Sequence, residues 1–207
     1  MRPASLRWIV LGTAVLIAGC NWLIPLVFLH PGTKKVPPEF AKLEGRTVAV
    51  MVWAEPETLY DYPYVRLELA SYVGDKLRAH VKDVQLTDNR KVEDFIQDSP
   101  QAALDPQRVG GELGADMVVY IELLEFQMRD PDAPALLQGH IRAAVSVYDL
   151  TADIDEAEQY ELAGVDAKHP DQPVLFSLVA ANRLRSETYD KFADLVSRKF
   201  YTHDEEL

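Results

Sequence analysis

The residue types that perform most enzyme chemistry are present in this chain but are not spaced for it. No two of the five histidines are separated by the three or four residues that would let one helix present both to a metal ion; they are His30, His80, His140, His169 and His203. The sequence has neither a Gly-x-Ser-x-Gly nucleophile motif nor a phosphate-binding glycine loop between a predicted strand and helix. We therefore predict a protein that is not an enzyme and that uses no metal ion or cofactor.

The single cysteine, Cys20, is the residue for which the sequence indicates covalent chemistry. One cysteine excludes an intramolecular disulfide and a cysteine metal cluster. It directly follows Ile-Ala-Gly at 17–19, at the end of an apolar segment that Arg2 and Arg7 precede. This order resembles the lipobox of bacterial lipoproteins, in which an aliphatic residue and two small residues precede a cysteine that receives diacylglycerol. We predict that residues 1–19 are a lipoprotein signal peptide and that Cys20 is lipidated.

A second interpretation of the N-terminus stays open. The stretch Trp8–Leu29 carries no charge and is long enough for a helix that spans a bilayer. Pro25 would kink such a helix without excluding it. In this alternative the chain is a single-pass membrane protein with an uncleaved anchor. Both interpretations predict an extracytoplasmic protein that is attached to the outer or the inner membrane and faces the periplasm.

Charge restricts the partners of the exported part. The 207 residues have a formal net charge of −12, which repels nucleic-acid phosphates and anionic lipid headgroups. We therefore exclude nucleic acid as a partner and expect a membrane attachment that is hydrophobic or covalent. The sequence leaves the oligomeric state and the identity of a protein partner open.

Hydrophobic patterning predicts one α/β domain over residues 46–207, joined to Cys20 by a proline-containing tether over residues 20–45. We expect a mixed β-sheet with a β-α-β crossover followed by an antiparallel meander, with helices packed on the sheet. The acidic tail over 203–207 is expected to fray. The predicted strands are Thr47–Trp53, Val84–Thr87, Met117–Arg129, Gly139–Leu150 and Gln159–Asp166, and the predicted helices are Val65–Val81, Arg90–Gln97, Asp105–Leu113 and Ser177–Tyr201.

Three of these elements carry a more detailed prediction. Thr47–Trp53 is apolar almost throughout, which predicts a strand buried on both faces. Gly139–Leu150 alternates, and Ile141, Ala143, Val145 and Val147 are expected on its apolar face. Asp105 is the predicted N-cap of the helix in which Pro106 takes the first position.

Four aromatic residues are the candidates for partner binding. Trp53 ends the first predicted strand, and Tyr60, Tyr62 and Tyr64 lie in the predicted loop Glu55–Tyr64 that follows it. The carboxyl ends of strands in open α/β sheets are common binding positions, and tyrosine and tryptophan are frequent contact residues. We predict that these four side chains contact a partner.

Two segments give the chain a family resemblance. Leu-Gly-Ala-Asp leads into an apolar strand within Leu113–Ile121, and Ile141–Thr151 ends in Val-Tyr-Asp-Leu-Thr. The pattern resembles the family of penicillin-binding-protein activator lipoproteins, the curli secretion lipoprotein and the TolB amino-terminal domain. Ala152 stands where that family has glycine in its Asp-x-x-Thr-Gly turn. The resemblance covers residues 46–165 and implies an α/β fold, with no functional residue carried over.

These observations together predict a non-enzymatic envelope lipoprotein that binds or regulates another cell-envelope protein. The alternatives are a subunit of an export or assembly complex and a periplasmic enzyme whose site has no recognisable motif.

The anchor can be tested directly. If Cys20 is lipidated, the mature protein begins at Cys20 and carries acyl chains that mass spectrometry or labelled palmitate detects, because diacylglycerol transfer precedes cleavage. Cys20→Ser should leave an uncleaved precursor in the inner membrane. A mature protein that retains Met1 and a free Cys20 thiol would instead support the spanning helix.

Overall fold

A computed structural model describes residues 33–206, except Pro131, Pro134 and residues 152–157. The predicted signal peptide, Cys20 and the alternative span Trp8–Leu29 lie outside the described residues. Within the described part, no helix combines the length and the hydropathy that crossing a bilayer requires.

The main sheet has five strands in the order β3-β2-β4-β5-β6. β2 runs parallel to β3 and β4, whereas β5 is antiparallel to β4 and β6. This arrangement confirms the predicted mixed sheet, with a crossover followed by a meander. The strands of the chain are β1 Thr33–Val36, β2 Thr47–Trp53, β3 Gln85–Leu86, β4 Met117–Gln127, β5 Leu136–Asp149, β6 Glu158–Leu175 and β7 His203–Glu206.

In the described part of the chain, five α-helices and two 3₁₀ turns accompany the strands. α1 occupies part of the segment predicted as a loop, because Pro56 at its first turn is already in the helical φ range. Asp105 caps α4 as predicted, its carboxylate accepting from the Arg108 backbone N–H at 3.0 Å. The helices are α1 Pro56–Asp61, α2 Val65–His80, α3 Asn89–Asp98, α4 Pro106–Glu112 and α5 Leu178–Ser197, and the 3₁₀ turns are Pro100–Leu104 and Arg198–Phe200.

Helices cover the two faces of the sheet unequally. α2 and α5 pack on the inner face, where the alternate β5 residues Ile141, Ala143, Val145 and Val147 are buried. This confirms the predicted alternation of β5. α3, the turn Pro100–Leu104 and α4 pack on the outer face over a smaller second core.

The body of the domain begins before the predicted boundary at residue 46. Phe40 and Leu43 are buried in the main core, and the Phe40 backbone N–H donates to the Lys199 carbonyl at 3.0 Å. Pro37 and Pro38 are typical of a tether, but the two apolar residues after them anchor this segment by burial. The tether therefore ends near Pro37.

The acidic tail is also more ordered than predicted. His203–Glu206 forms β7 and pairs antiparallel with Thr33–Val36 in a separate two-stranded sheet. Its register sets Lys34 opposite Glu205 and Lys35 opposite Asp204. Cross-strand pairs of opposite charge stabilise such a ladder, which explains why this charged tail is not frayed.

One glycine sets how closely α5 approaches the sheet. A Cβ on Gly139 of β5 would come within 2.7 Å of the Thr188 Cγ2 atom and 2.8 Å of its Cβ. Thr188 is fully buried on α5, and its hydroxyl donates to the Leu184 carbonyl at 2.7 Å. Burial and this hydrogen bond therefore restrain the Thr188 side chain in its position.

Gly139→Ala should destabilise the domain by about 1–3 kcal/mol, because the new methyl group overpacks the contact between β5 and α5. Urea unfolding followed by circular dichroism measures the change in the free energy of unfolding. Gly164→Ala is the matched control: its nearest neighbour would be the Ala143 carbonyl oxygen at 3.4 Å, an approach that a small shift accommodates. Equal stability of the two variants would contradict this packing.

Candidate functional site

The four predicted aromatic residues do not form one cluster. Tyr62 packs edge-on against Phe126, with ring centroids 4.9 Å apart, on the inner face of the sheet. Trp53 packs beside the second core on the outer face. The two side chains therefore lie on opposite faces of the sheet. Trp53 is the last residue of β2, whereas Tyr62 follows α1, which separates the two positions along the chain.

Tyr60 and Tyr64 are the exposed members of the predicted set. Their exposed fractions are 88% and 68%, and α1, which carries Tyr60, buries none of its residues. Tyr62 packs this segment against the sheet through its contact with Phe126. Burial raises the pKa of the Tyr62 hydroxyl, and the neighbouring Asp61 raises that pKa further. The segment is thus attached to the main core through the partly buried Leu59 and Tyr62, while the rings of Tyr60 and Tyr64 are exposed.

A second apolar surface was missed from the sequence. Residues 174–179, here called the apolar ridge, join the end of β6 to the first turn of α5. Leu175, Leu178 and Val179 are 77%, 76% and 80% exposed, and Val174 and Phe176 are also exposed. The predicted strand ends at Asp166 and the predicted helix begins at Ser177, so the sequence prediction assigned residues 174–176 to no element, although the apolar run over 174–179 is visible in the sequence.

The ridge and the exposed tyrosines lie at the same end of the sheet, here called the distal end. β2, β4 and β6 run in one direction, so the residues that follow β2 and β6 lie beyond the same edge. Arg129, just beyond β4, connects the two surfaces. Its guanidinium lies 4.7 Å from the Phe176 ring centroid, and its charge lowers the pKa of Tyr62, against the larger effect of burial.

The chain that leads from Cys20 joins the body at the other, proximal end. The Phe40 ring contacts Tyr160 near the start of β6 and Phe200 after α5, with centroid distances of 5.0 and 6.5 Å. Glu39 accepts from the Ala163 backbone N–H at 2.9 Å and from Lys199 Nζ at 2.9 Å. α5 alone separates this attachment from the ridge by about 30 Å, at about 1.5 Å per residue.

Several titratable groups of the domain form ion pairs. His169 Nε2 lies 3.1 Å from Glu187, beside an open groove between α2 and α5 of about 740 Å³. Hydrogen bonds from Arg183 first, and then from His169, hold the pKa of Glu187 below its usual range. In the described part of the chain, no group of three or more His, Cys, Asp or Glu side chains is placed to hold a metal ion.

Comparison with known proteins gives distant structural similarity. No protein-family model matches the chain, and no curated protein matches its sequence. The PelC dodecamer from Paraburkholderia phytofirmans aligns with a TM-score of 0.42 at 12% identity, over 82% of this chain and 97% of that chain. Lipoprotein GNA1162 from Neisseria meningitidis aligns with a TM-score of 0.41 at 14% identity, over 72% of this chain and 98% of that one.

A minor lipoprotein from Acinetobacter baumannii aligns with a TM-score of 0.30 at 13% identity, over 80% of this chain and 99% of that one. The similar structures therefore include bacterial lipoproteins. At these scores and identities the similarity assigns the chain neither a family nor a function. The resemblance to penicillin-binding-protein activators, the curli secretion lipoprotein and TolB stays a prediction.

Tyr60 and Tyr62 should differ sharply in their effect on stability. Tyr62→Ala removes the ring that packs on Phe126 and should lower the free energy of unfolding by about 2–4 kcal/mol. Tyr60→Ala should change it by less than about 0.5 kcal/mol, since the side chain is exposed. Chemical denaturation of both variants makes the comparison. A stable Tyr62→Ala variant would show that α1 is not attached through this ring.

Proposed function

We propose that this protein is a non-enzymatic lipoprotein of the cell envelope, held at a membrane through Cys20, that binds or regulates another envelope protein through its distal end. The observation that carries the proposal is the concentration of exposed apolar side chains at that end. They comprise Tyr60, Tyr64, Val174, Leu175, Phe176, Leu178 and Val179.

Exposure of the apolar side chains of the ridge is energetically unfavourable. Leaving a large aliphatic side chain in water rather than burying it forgoes about 1.5–3 kcal/mol. Scattered exposed leucines are ordinary, but five apolar residues within six consecutive positions form a contiguous patch. Such patches mark surfaces that another molecule covers.

The polar residue of the ridge is compatible with a surface that a partner covers. Ser177 is its only polar member, and its hydroxyl accepts from the Ala180 backbone N–H at 3.1 Å, which caps α5. The one polar side chain is therefore already partnered, so covering the ridge leaves no unpaired hydroxyl in an interface. The exposed Tyr60 and Tyr64 add amphipathic rings of the kind that are enriched at protein contacts.

The geometry of attachment agrees with a protein partner. The predicted tether joins the body at the proximal end, so the distal end is the part of the body farthest along the sheet from that connection. A partner in the envelope can therefore cover the ridge without contacting Glu39 and Phe40, which lie at the proximal end of the body.

The double variant Leu175→Ser/Leu178→Ser should lose the partner while keeping its fold. Both side chains are exposed, so the unfolding midpoint should change little, whereas loss of two interface anchors should weaken binding at least about tenfold. The measurement is crosslinking in intact cells, followed by detergent extraction and quantification of the crosslinked species. Ala41→Ser, which introduces the same polar side chain at an exposed position near the tether, is the control.

Two outcomes would contradict the proposal. In the first, the ridge variant and Ala41→Ser retain the same crosslinked species in equal amounts. In the second, the species consists only of two copies of this chain, which sedimentation of the purified protein would reveal as a dimer that the ridge variant loses.

A further inference from the structure

Among the described residues, helices cover the outer face of the sheet over only half of its width. α3, the turn Pro100–Leu104 and α4 bury Ala49, Met51 and Val118 on β2 and β4. The helical cover ends between β4 and β5. On β5 and β6, the neighbouring residues that face the same side of the sheet are half-buried or exposed. They are Tyr148, Ser146, Gln159 and Glu161.

The uncovered area has the width of one helix. Two strands about 4.8 Å apart present a surface about 10 Å wide, which matches the diameter of an α-helix with its side chains. Its floor is low because Ala144 and Ser146 are small. Leu104, 69% exposed in the 3₁₀ turn, and Leu124, 54% exposed at the β4 bulge, lie beside it. We call this surface the outer trough.

Aromatic rings form one side of the outer trough. Tyr120 and Tyr148 lie with ring centroids 6.2 Å apart, and both are half-buried against the second core. The Tyr120 hydroxyl donates to the Ala103 carbonyl at 3.5 Å, which places Leu104 next to these rings. Leu104 and the two tyrosines thus offer apolar surface at the border of the cover.

Two carboxylates in the outer trough have no ion-pair partner within the described residues. Glu122 is the register neighbour of Ala144, and Glu161 is that of Ser146. By contrast, Glu125 on the same face is held by His140 at 3.1 Å and Arg142 at 3.5 Å. The trough therefore combines apolar surface with uncompensated negative charge.

Burial and the negative charge of these carboxylates raise the pKa of the nearby tyrosines. Burial raises the pKa of Tyr148, and Glu161, Glu122 and Asp105 raise it further. Burial raises the pKa of Tyr120 to about 12, with Glu122 as the next contribution. Three carboxylates thus act on one ring system, and a cation placed there would meet both aromatic faces and negative charge.

We infer that the outer trough docks a basic amphipathic helix of a partner protein. Its apolar stripe packs on Tyr148, Ala144 and Leu104, and its lysine or arginine side chains pair with Glu122 and Glu161. A neutral or acidic helix would leave both carboxylates desolvated and unpaired, which disfavours it. This site goes beyond the distal-end function and shares none of its residues.

The probe is a labelled amphipathic peptide of about 15 residues, with a leucine stripe flanked by lysines, and a second version has glutamates in place of the lysines. Each is titrated against the full-length protein in phosphatidylcholine nanodiscs, with empty nanodiscs as background, and binding is followed by fluorescence anisotropy. We expect the lysine peptide to bind with an affinity that falls as salt rises, because charge pairing supports it. The glutamate peptide should not bind.

Variants locate the site. Glu122→Gln/Glu161→Gln should weaken binding of the lysine peptide by at least about tenfold, and Leu104→Ser should also weaken it. Glu44→Gln/Asp83→Asn is the matched control, since both residues are exposed outside the trough and the net charge changes equally. The ridge variant Leu175→Ser/Leu178→Ser should bind normally, so failure of the distal-end proposal would not affect this result.

Three outcomes would overturn the inference. Equal binding of the two peptides would remove the charge argument. Equal weakening by the matched control would show a response to net charge alone. Unchanged binding by the Glu122→Gln/Glu161→Gln variant would show that the trough is only a solvated sheet face.

Discussion

Asp116 joins three strands at the proximal end of the sheet, and the positions of all exposed surfaces follow from that junction. Its backbone N–H donates to the Thr47 carbonyl at 2.8 Å, and its carboxylate accepts from the Thr47 N–H at 2.8 Å. Its carbonyl accepts from the Leu150 N–H at 2.9 Å. These bonds fix the register of β2, β4 and β5, and a slip by one residue would turn the buried side chains of a strand towards solvent.

Strands that begin together but differ in length must end unevenly at the distal edge. β2 has 7 residues, β4 has 11 and β6 has 18, so the later strands extend past β2. α1 lies at this edge, and the ridge, which includes the first turn of α5, stays exposed there. Leu175, Leu178 and Val179 are more than three quarters exposed, so they contribute little burial to folding. These exposed apolar residues are the physical basis for the proposed partner.

Much of the fold follows from sequence patterns that arise from burial. The alternation through Val145 predicted the face of β5 correctly, and the run Thr47–Trp53 predicted a strand buried on both sides. The Leu-Gly-Ala-Asp segment was correctly treated as structural, since Asp116 closes the strand junction. Helix caps such as Asp105 were visible because their chemistry is local.

The errors arose where long-range pairing overrides composition. Phe40 follows two prolines, and only its contact with Tyr160 shows that the body begins before residue 46. The tail pairs with β1 through charges that single-sequence patterning takes for a frayed end. Trp53 and Tyr62 are close in sequence but lie on opposite faces, because α1 carries the chain across the end of the sheet.

The central claim is that the distal end, rather than the proximal end, meets the partner. A photo-crosslinking amino acid placed at Leu178, and in a parallel strain at Lys42 beside the tether, tests this in living cells. Both side chains are exposed, but replacing Lys42 removes its hydrogen bond to the Tyr160 hydroxyl, so circular dichroism checks that each variant is folded. The account predicts a crosslink from position 178 to a second envelope protein and none to that protein from position 42. The same protein captured from position 42 alone, or capture of only lipid or another copy of this chain from position 178, would contradict it.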